Sequence, residues 1–112
     1  NSQDWKYINV RRTMIMLEQS IKNAMEAYVF EANTSQTWIK VRTSVENFLT
    51  NMWKQGTLVG ASPTEAFDVN IGLGTTMTPV DILNGEMKID VKVAISRPAE
   101  FIVLTFSQLV AQ

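Results

Sequence analysis

The stretch Gly72-Leu73-Gly74-Thr75-Thr76-Met77 is the part of the chain that most looks built to hold a phosphate. Glycines let backbone N–H groups close around an anion, and a helix N-terminus behind them adds a favourable dipole. A dinucleotide site of that kind needs a third glycine opening a long helix, whereas Met77 and Thr78-Pro79 follow here. A P-loop needs Gly-Lys-Ser/Thr, and no lysine is near. The Gly72–Thr76 segment therefore reads as a strand-to-turn connection, with a phosphate-binding enzyme as the distant alternative. Four carboxylates, Asp68, Asp81, Glu86 and Asp90, could meet as a metal site or an acid–base pair. Their surroundings assign them other duties. Asp68 and Asp90 alternate with apolar residues and so face solvent, and Asp81 opens a short helix, where a carboxylate complements the positive end. Lys6, Arg11 and Arg12 are the remaining charged group of interest. With a helix starting near Asn9, the two arginines would crowd its positive end, an arrangement that asks for carboxylate partners within the domain or across an interface.

Neither cysteine nor histidine is present. Thiol nucleophiles, disulfides, histidine bases and the usual zinc or haem ligands are thereby removed, no cofactor or metal is called for, and an enzyme is not the expected reading. Ten basic residues stand against eleven acidic ones, for a net charge of −1. No run of like charge exceeds Arg11-Arg12, so nothing marks a surface for nucleic acid or anionic membrane. The 112 residues suit one domain. The start at Asn1 is read as the beginning of a fragment of a longer protein.

Apolar residues at Val10, Met14, Leu17, Ile21, Met25 and Tyr28 recur every three or four positions, predicting a helix from Val10 to about Val29 capped by Asn9. A second helix is predicted over 36–55, with Trp38, Val41, Val45, Phe48 and Met52 buried, Arg42 and Glu46 paired outward, and Gly56 as its left-handed stop. The short link between the two implies an antiparallel hairpin. Ser62-Pro63-Thr64-Glu65 and Thr78-Pro79-Val80-Asp81 each read as a cap, a proline and an acidic third position, enough for single helical turns. Between them Phe67, Val69, Ile71 and Leu73 alternate with polar residues or glycine as a half-buried strand. Met87, Ile89, Val91, Val93 and Ile95 form the inward side of the clearest strand, with Glu86, Lys88, Asp90 and Lys92 outward. The expected fold class is α+β: a two-helix antiparallel hairpin on a small, mainly antiparallel sheet of three strands.

The closing strand does not fit that plan. Phe101-Ile102-Val103-Leu104-Thr105-Phe106 is apolar on both alternating faces, although a strand with one side in water should alternate. Two covers satisfy it. Another segment of the polypeptide or another subunit could lie against the outer face, or a loop or the Leu109-Val110 tail could fold back over it.

As a whole, "WKYINVRRTMIMLEQSI", "VFEANTSQTWIKVRTSVENFLTNMWKQGTLVGASPTEAF" and "TPVDILNGEMKIDVKVAISRPAEFIVLTFSQ" resemble the C-terminal domain of contractile tail sheath proteins of phages, R-type pyocins and related injection machines. Asn9-Val10-Arg11-Arg12 and Arg97-Pro98-Ala99-Glu100-Phe101 are among the specific markers; the Gly72–Met77 segment departs from the family pattern. The resemblance implies a structural subunit of a virion or phage-tail-like particle assembled in the bacterial cytoplasm. It would polymerise with copies of itself around an inner tube protein, between baseplate and terminator proteins, and contract to drive the tube through an envelope. It further implies that arms of neighbouring subunits complete the sheet. Phe101, Ile102, Val103, Leu104, Thr105, Phe106, Ser107 and Leu109 would then form the subunit interface, with Lys6, Arg11 and Arg12 as polar contacts to tube or neighbour. A monomeric interaction module is the alternative.

Overall fold

The computed structural model describes residues 2–96 and 100–110, with the backbone alone for 2–7, 96 and 100. Helix α1 spans Ser2–Glu26 and α2 spans Ser35–Lys54; single turns α3 (Pro63–Ala66) and α4 (Pro79–Leu83) flank the short strand β1 (Phe67–Asn70), and β2 (Glu86–Ser96) and β3 (Glu100–Leu109) complete the chain. The sheet order is β1-β2-β3, antiparallel at both junctions. The α+β plan expected from the sequence is the one observed.

The core lies between the hairpin and the inner sheet face. Leu17, Ile21 and Met25 of α1 and Val41, Val45, Leu49 and Met52 of α2 meet Val69 of β1, Met87, Ile89, Val91 and Val93 of β2, and Leu104 and Phe106 of β3. On α2 the buried stripe is turned toward Thr37 and Leu49, leaving the predicted Trp38 and Phe48 half-buried. Helix α1 ends at Glu26, short of the expected Val29, and α2 ends as its sequence requires. Gly56 at φ +84 provides the left-handed residue after α2, and Arg42 and Glu46 pair outward at 3.7 Å.

Three expectations are corrected. Helix α1 begins at Ser2, not near Asn9, so Arg11 and Arg12 sit about three turns inside it and do not crowd a positive helix end. The strand predicted over 67–73 stops at Asn70; Ile71 is half-buried and Leu73 is 55% exposed, because a tight turn through Gly74 at φ +85 takes over. At α3 the capping box is not formed as expected: Glu65 reaches past Ser62 and accepts from the Ala61 N–H at 3.0 Å. At α4 the box is complete, with Thr78 and Asp81 exchanging bonds at 2.9 and 3.2 Å.

Candidate assembly interface

β2 is eleven residues long and β1 only four, so one flank of the central strand is longer than the strand that pairs with it. The backbone groups that β1 leaves bare are met individually. Asn33 donates through Nδ2 to the Glu86 carbonyl at 3.0 Å, and Thr76 donates through Oγ1 to the Lys88 carbonyl at 2.6 Å. Asp90 and Lys92 pair with β1, and the Val59 N–H reaches the Ala94 carbonyl at 3.0 Å. Asn33 is buried and accepts from the Trp38 indole N–H, which fixes its amide orientation. The Phe67 N–H is bonded to the Pro63 carbonyl, which shortens the free edge of β1 further. On this flank the β2 carbonyls are met.

The other side is open. The Val110 N–H donates to the Gly85 carbonyl at 2.8 Å, which fixes the phase of the antiparallel ladder. In that phase Ile102, Leu104, Phe106 and Gln108 bond to β2, while Phe101, Val103, Thr105, Ser107 and Leu109 turn their backbone groups away from it. Among the described residues no strand lies beyond β3. The same alternate residues carry the outer-face side chains: Phe101 is 51%, Val103 60% and Leu109 65% exposed. Covering what remains exposed of these three would be worth about 3 kcal/mol. Leu104 and Phe106 are buried against the helices and Ile102 is half-buried there. The predicted interface residues thus divide into an inner set serving this domain's core and an outer set that no strand or helix covers among the described residues. Val110 continues the ladder on Gly85, so the tail does not fold back over the outer face through that residue.

Apart from Ala94, buried opposite Phe101, the rest of the outer sheet face is polar among the described residues. Thr105 donates to Asp90 at 2.9 Å, and Lys88 lies between Asp81 at 3.2 Å and Glu86 at 3.7 Å. The Thr78 N–H holds the Asp81 carboxyl below its ordinary value; desolvation, the next largest effect, opposes it, and the bond from Lys88 adds to the lowering. Lys92 stands opposite Asp68 on β1, yet its ammonium lies 4.6 Å from the Phe101 ring centroid. Its stem thereby shields part of an apolar row that otherwise meets water.

The remaining candidates are not brought together. Arg11 and Arg12 are exposed on α1, and the ion pairs among the described residues do not include them; the Lys6 side chain lies outside the described residues. In the Gly72–Met77 loop the N–H groups turn inward: Thr75, Thr76 and Met77 donate to the Gly72 carbonyl, Gly74 to the Met77 carbonyl, and Gly72 itself to the Thr76 hydroxyl. Such a loop offers an anion no cradle. Sequence reasoning missed the bridging roles of Asn33 and Thr76. Their signal is the mismatch between a long central strand and a short neighbour, which leaves carbonyls that loops must satisfy.

Residues 1–108 match the family described as the phage tail sheath C-terminal domain. The chain belongs to that family. The sheath domain is also similar to chains in solved assemblies. One is in the six-fold symmetrised baseplate of the anti-feeding prophage, AFP, with 45% identity and a TM-score of 0.75 over 88% of this chain. A second is in the sheath complex of PVC, an extracellular contractile injection system in its contracted state, with 44% identity and a TM-score of 0.74 over 88%. A third, in the contracted AFP baseplate, shows 37% identity and a TM-score of 0.74 over 87%. The sheath domain spans 28%, 28% and 25% of those chains respectively. Comparison with curated protein sequences gives no match.

Proposed function

We propose that the protein containing this sheath domain polymerises helically around an inner tube and contracts to drive the tube through a target envelope. The observation that carries the reading is the asymmetric sheet of a tail sheath domain, closed along β2 and open along β3 with an apolar outer row. An exposed edge of that kind gains a strand from a partner, main-chain bonds supplying affinity and alternate side chains supplying specificity. The partner is a neighbouring copy, through an extended segment beyond the domain. The role is structural and not catalytic, in a phage-tail-like particle assembled in the bacterial cytoplasm, with baseplate and terminator proteins at its ends. Lys6, Arg11 and Arg12 serve as polar contacts to tube or neighbour. Exposed ion pairs are each worth roughly 0–1 kcal/mol, so such contacts can break and re-form as subunits move.

Electron microscopy of the full-length polypeptide tests this. Hollow cylinders of uniform width are expected, and Val103→Lys should leave folded, dispersed subunits while Val103→Thr retains cylinders. Dispersed parent protein, persisting when tube and baseplate proteins are co-expressed, would replace the reading with a monomeric interaction module.

A further inference from the structure

The open edge specifies more than the presence of a partner strand. Across a newly formed pair, residues directly opposite one another share a face and lie about 5 Å apart, and a slip of one residue exchanges the faces. The five β3 residues with outward backbone groups are also those with outward side chains, so the arriving segment is read at Phe101, Val103, Thr105, Ser107 and Leu109.

We infer that the segment completing the sheet is selected by its outer-face side chains, apolar at the two ends beside Phe101 and Leu109 and small with a hydroxyl at the centre beside Thr105. This rests on the strand-addition reading above and names the chemistry of its partner. Phe101 and Leu109, half or more exposed, gain by apolar neighbours. At the centre the Thr105 hydroxyl donates to Asp90, and a bulky apolar neighbour there would strip water from that carboxylate while adding no donor to it. On the inner side Leu104 and Phe106 are buried and Ile102 half-buried, so residues facing inward must be apolar to prolong the core past β3.

The occupant is an extended segment of another copy of the same polypeptide, about nine residues and roughly 30 Å long, matching Phe101 to Leu109. Two facts favour that source. The similar AFP chain was solved in a six-fold assembly, hence as repeated copies, and the matched region spans 28% of that chain, leaving ample polypeptide beyond it.

Two synthetic peptides test the rule against the full-length polypeptide. Each has a nine-residue strand with valines at its four inward positions, flanked at both ends by a pair of lysines. The first carries Val, Thr, Ser, Thr and Val at its five outward positions, an order that reads the same in either strand direction. The second carries alternating glutamate and lysine there. Polymerisation is followed by light scattering, with Val103→Lys polypeptide in parallel. The first peptide is expected to inhibit at a concentration at least about tenfold lower than the second, about 1.4 kcal/mol at that factor. Equal potency of the two peptides, or no inhibition by either, while Val103→Lys abolishes polymer, overturns the side-chain rule and leaves strand addition standing. Polymerisation of folded Val103→Lys at the parent rate overturns strand addition, and the rule with it.

Discussion

The two flanks of β2 solve the same problem in opposite ways. On the β1 side a four-residue strand, one buried asparagine, one threonine and one loop amide meet successive carbonyls from Glu86 to Ala94. On the β3 side the ladder runs nearly the whole length of β2 and then stops at an apolar row with free backbone groups. Chains that must stay monomeric blunt both edges with charges, prolines, bulges or covering loops. Here the blunting is confined to the β1 flank of β2, an asymmetry that the proposed strand addition along β3 would put to use.

The largest effect should come from collapsing the division within β3. Leu104→Asp places a carboxylate among α1, β2 and β3 side chains and should cost more than about 4 kcal/mol, seen as loss of the cooperative unfolding transition. Its neighbour Val103, changed to lysine, should leave that transition within about 0.5 kcal/mol of the parent while removing polymer. Next in size, Asn33→Ala strands the Glu86 carbonyl and the Trp38 indole N–H together and should cost about 1–3 kcal/mol by chemical denaturation. Thr76→Val keeps the shape but loses the bond to Lys88 and the acceptor for the Gly72 N–H, for about 1 kcal/mol by the same assay. Both closed-flank variants should still form cylinders wherever the domain remains folded, which sharpens the contrast with Val103→Lys.

The smallest effect concerns α4 and is set by pH. The Asp81 carboxyl is depressed in the folded state, first by the Thr78 N–H and then by Lys88. Its stabilising contribution is therefore present above the unfolded value of about 3.9 and is lost as pH falls through the lower folded value. Amide exchange at Ile82, whose N–H bonds Thr78, should quicken relative to its intrinsic rate at the same pH below about pH 4 in the parent. In Asp81→Asn it should be faster already at neutral pH and show no such acid step.

The architecture was legible because local signals agreed with the global plan. Leu17, Ile21 and Met25 on α1, and Met87 to Val93 on β2, carry clean periods of 3.6 and 2, and Gly56 and Thr78-Pro79-Val80-Asp81 punctuate as their chemistry requires. The start of α1 was misplaced because Asn9, a good cap residue, sits within a longer helix. The overlong β1 followed from alternation at Ile71 and Leu73 that a glycine turn overrides. The doubly apolar closing strand was visible as a conflict in the sequence, but which alternate set faced outward depended on register, and register is a property of the pair. Asn33 and Thr76 were invisible as bridges because their acceptors lie 53 and 12 residues away.

The indoles of Trp38 and Trp53 have a consequence of another kind. One bonds Asn33, which in turn holds the start of β2, and the other donates to the Gly60 carbonyl at 2.9 Å, next to the Val59 amide that holds the far end of the same strand. The two fluorophores thus mark both seams between the helical layer and the sheet. Within these 112 residues, replacing Trp5 with phenylalanine would leave them as the two tryptophans, so that a change in emission of the domain would register a shift between the layers without any label.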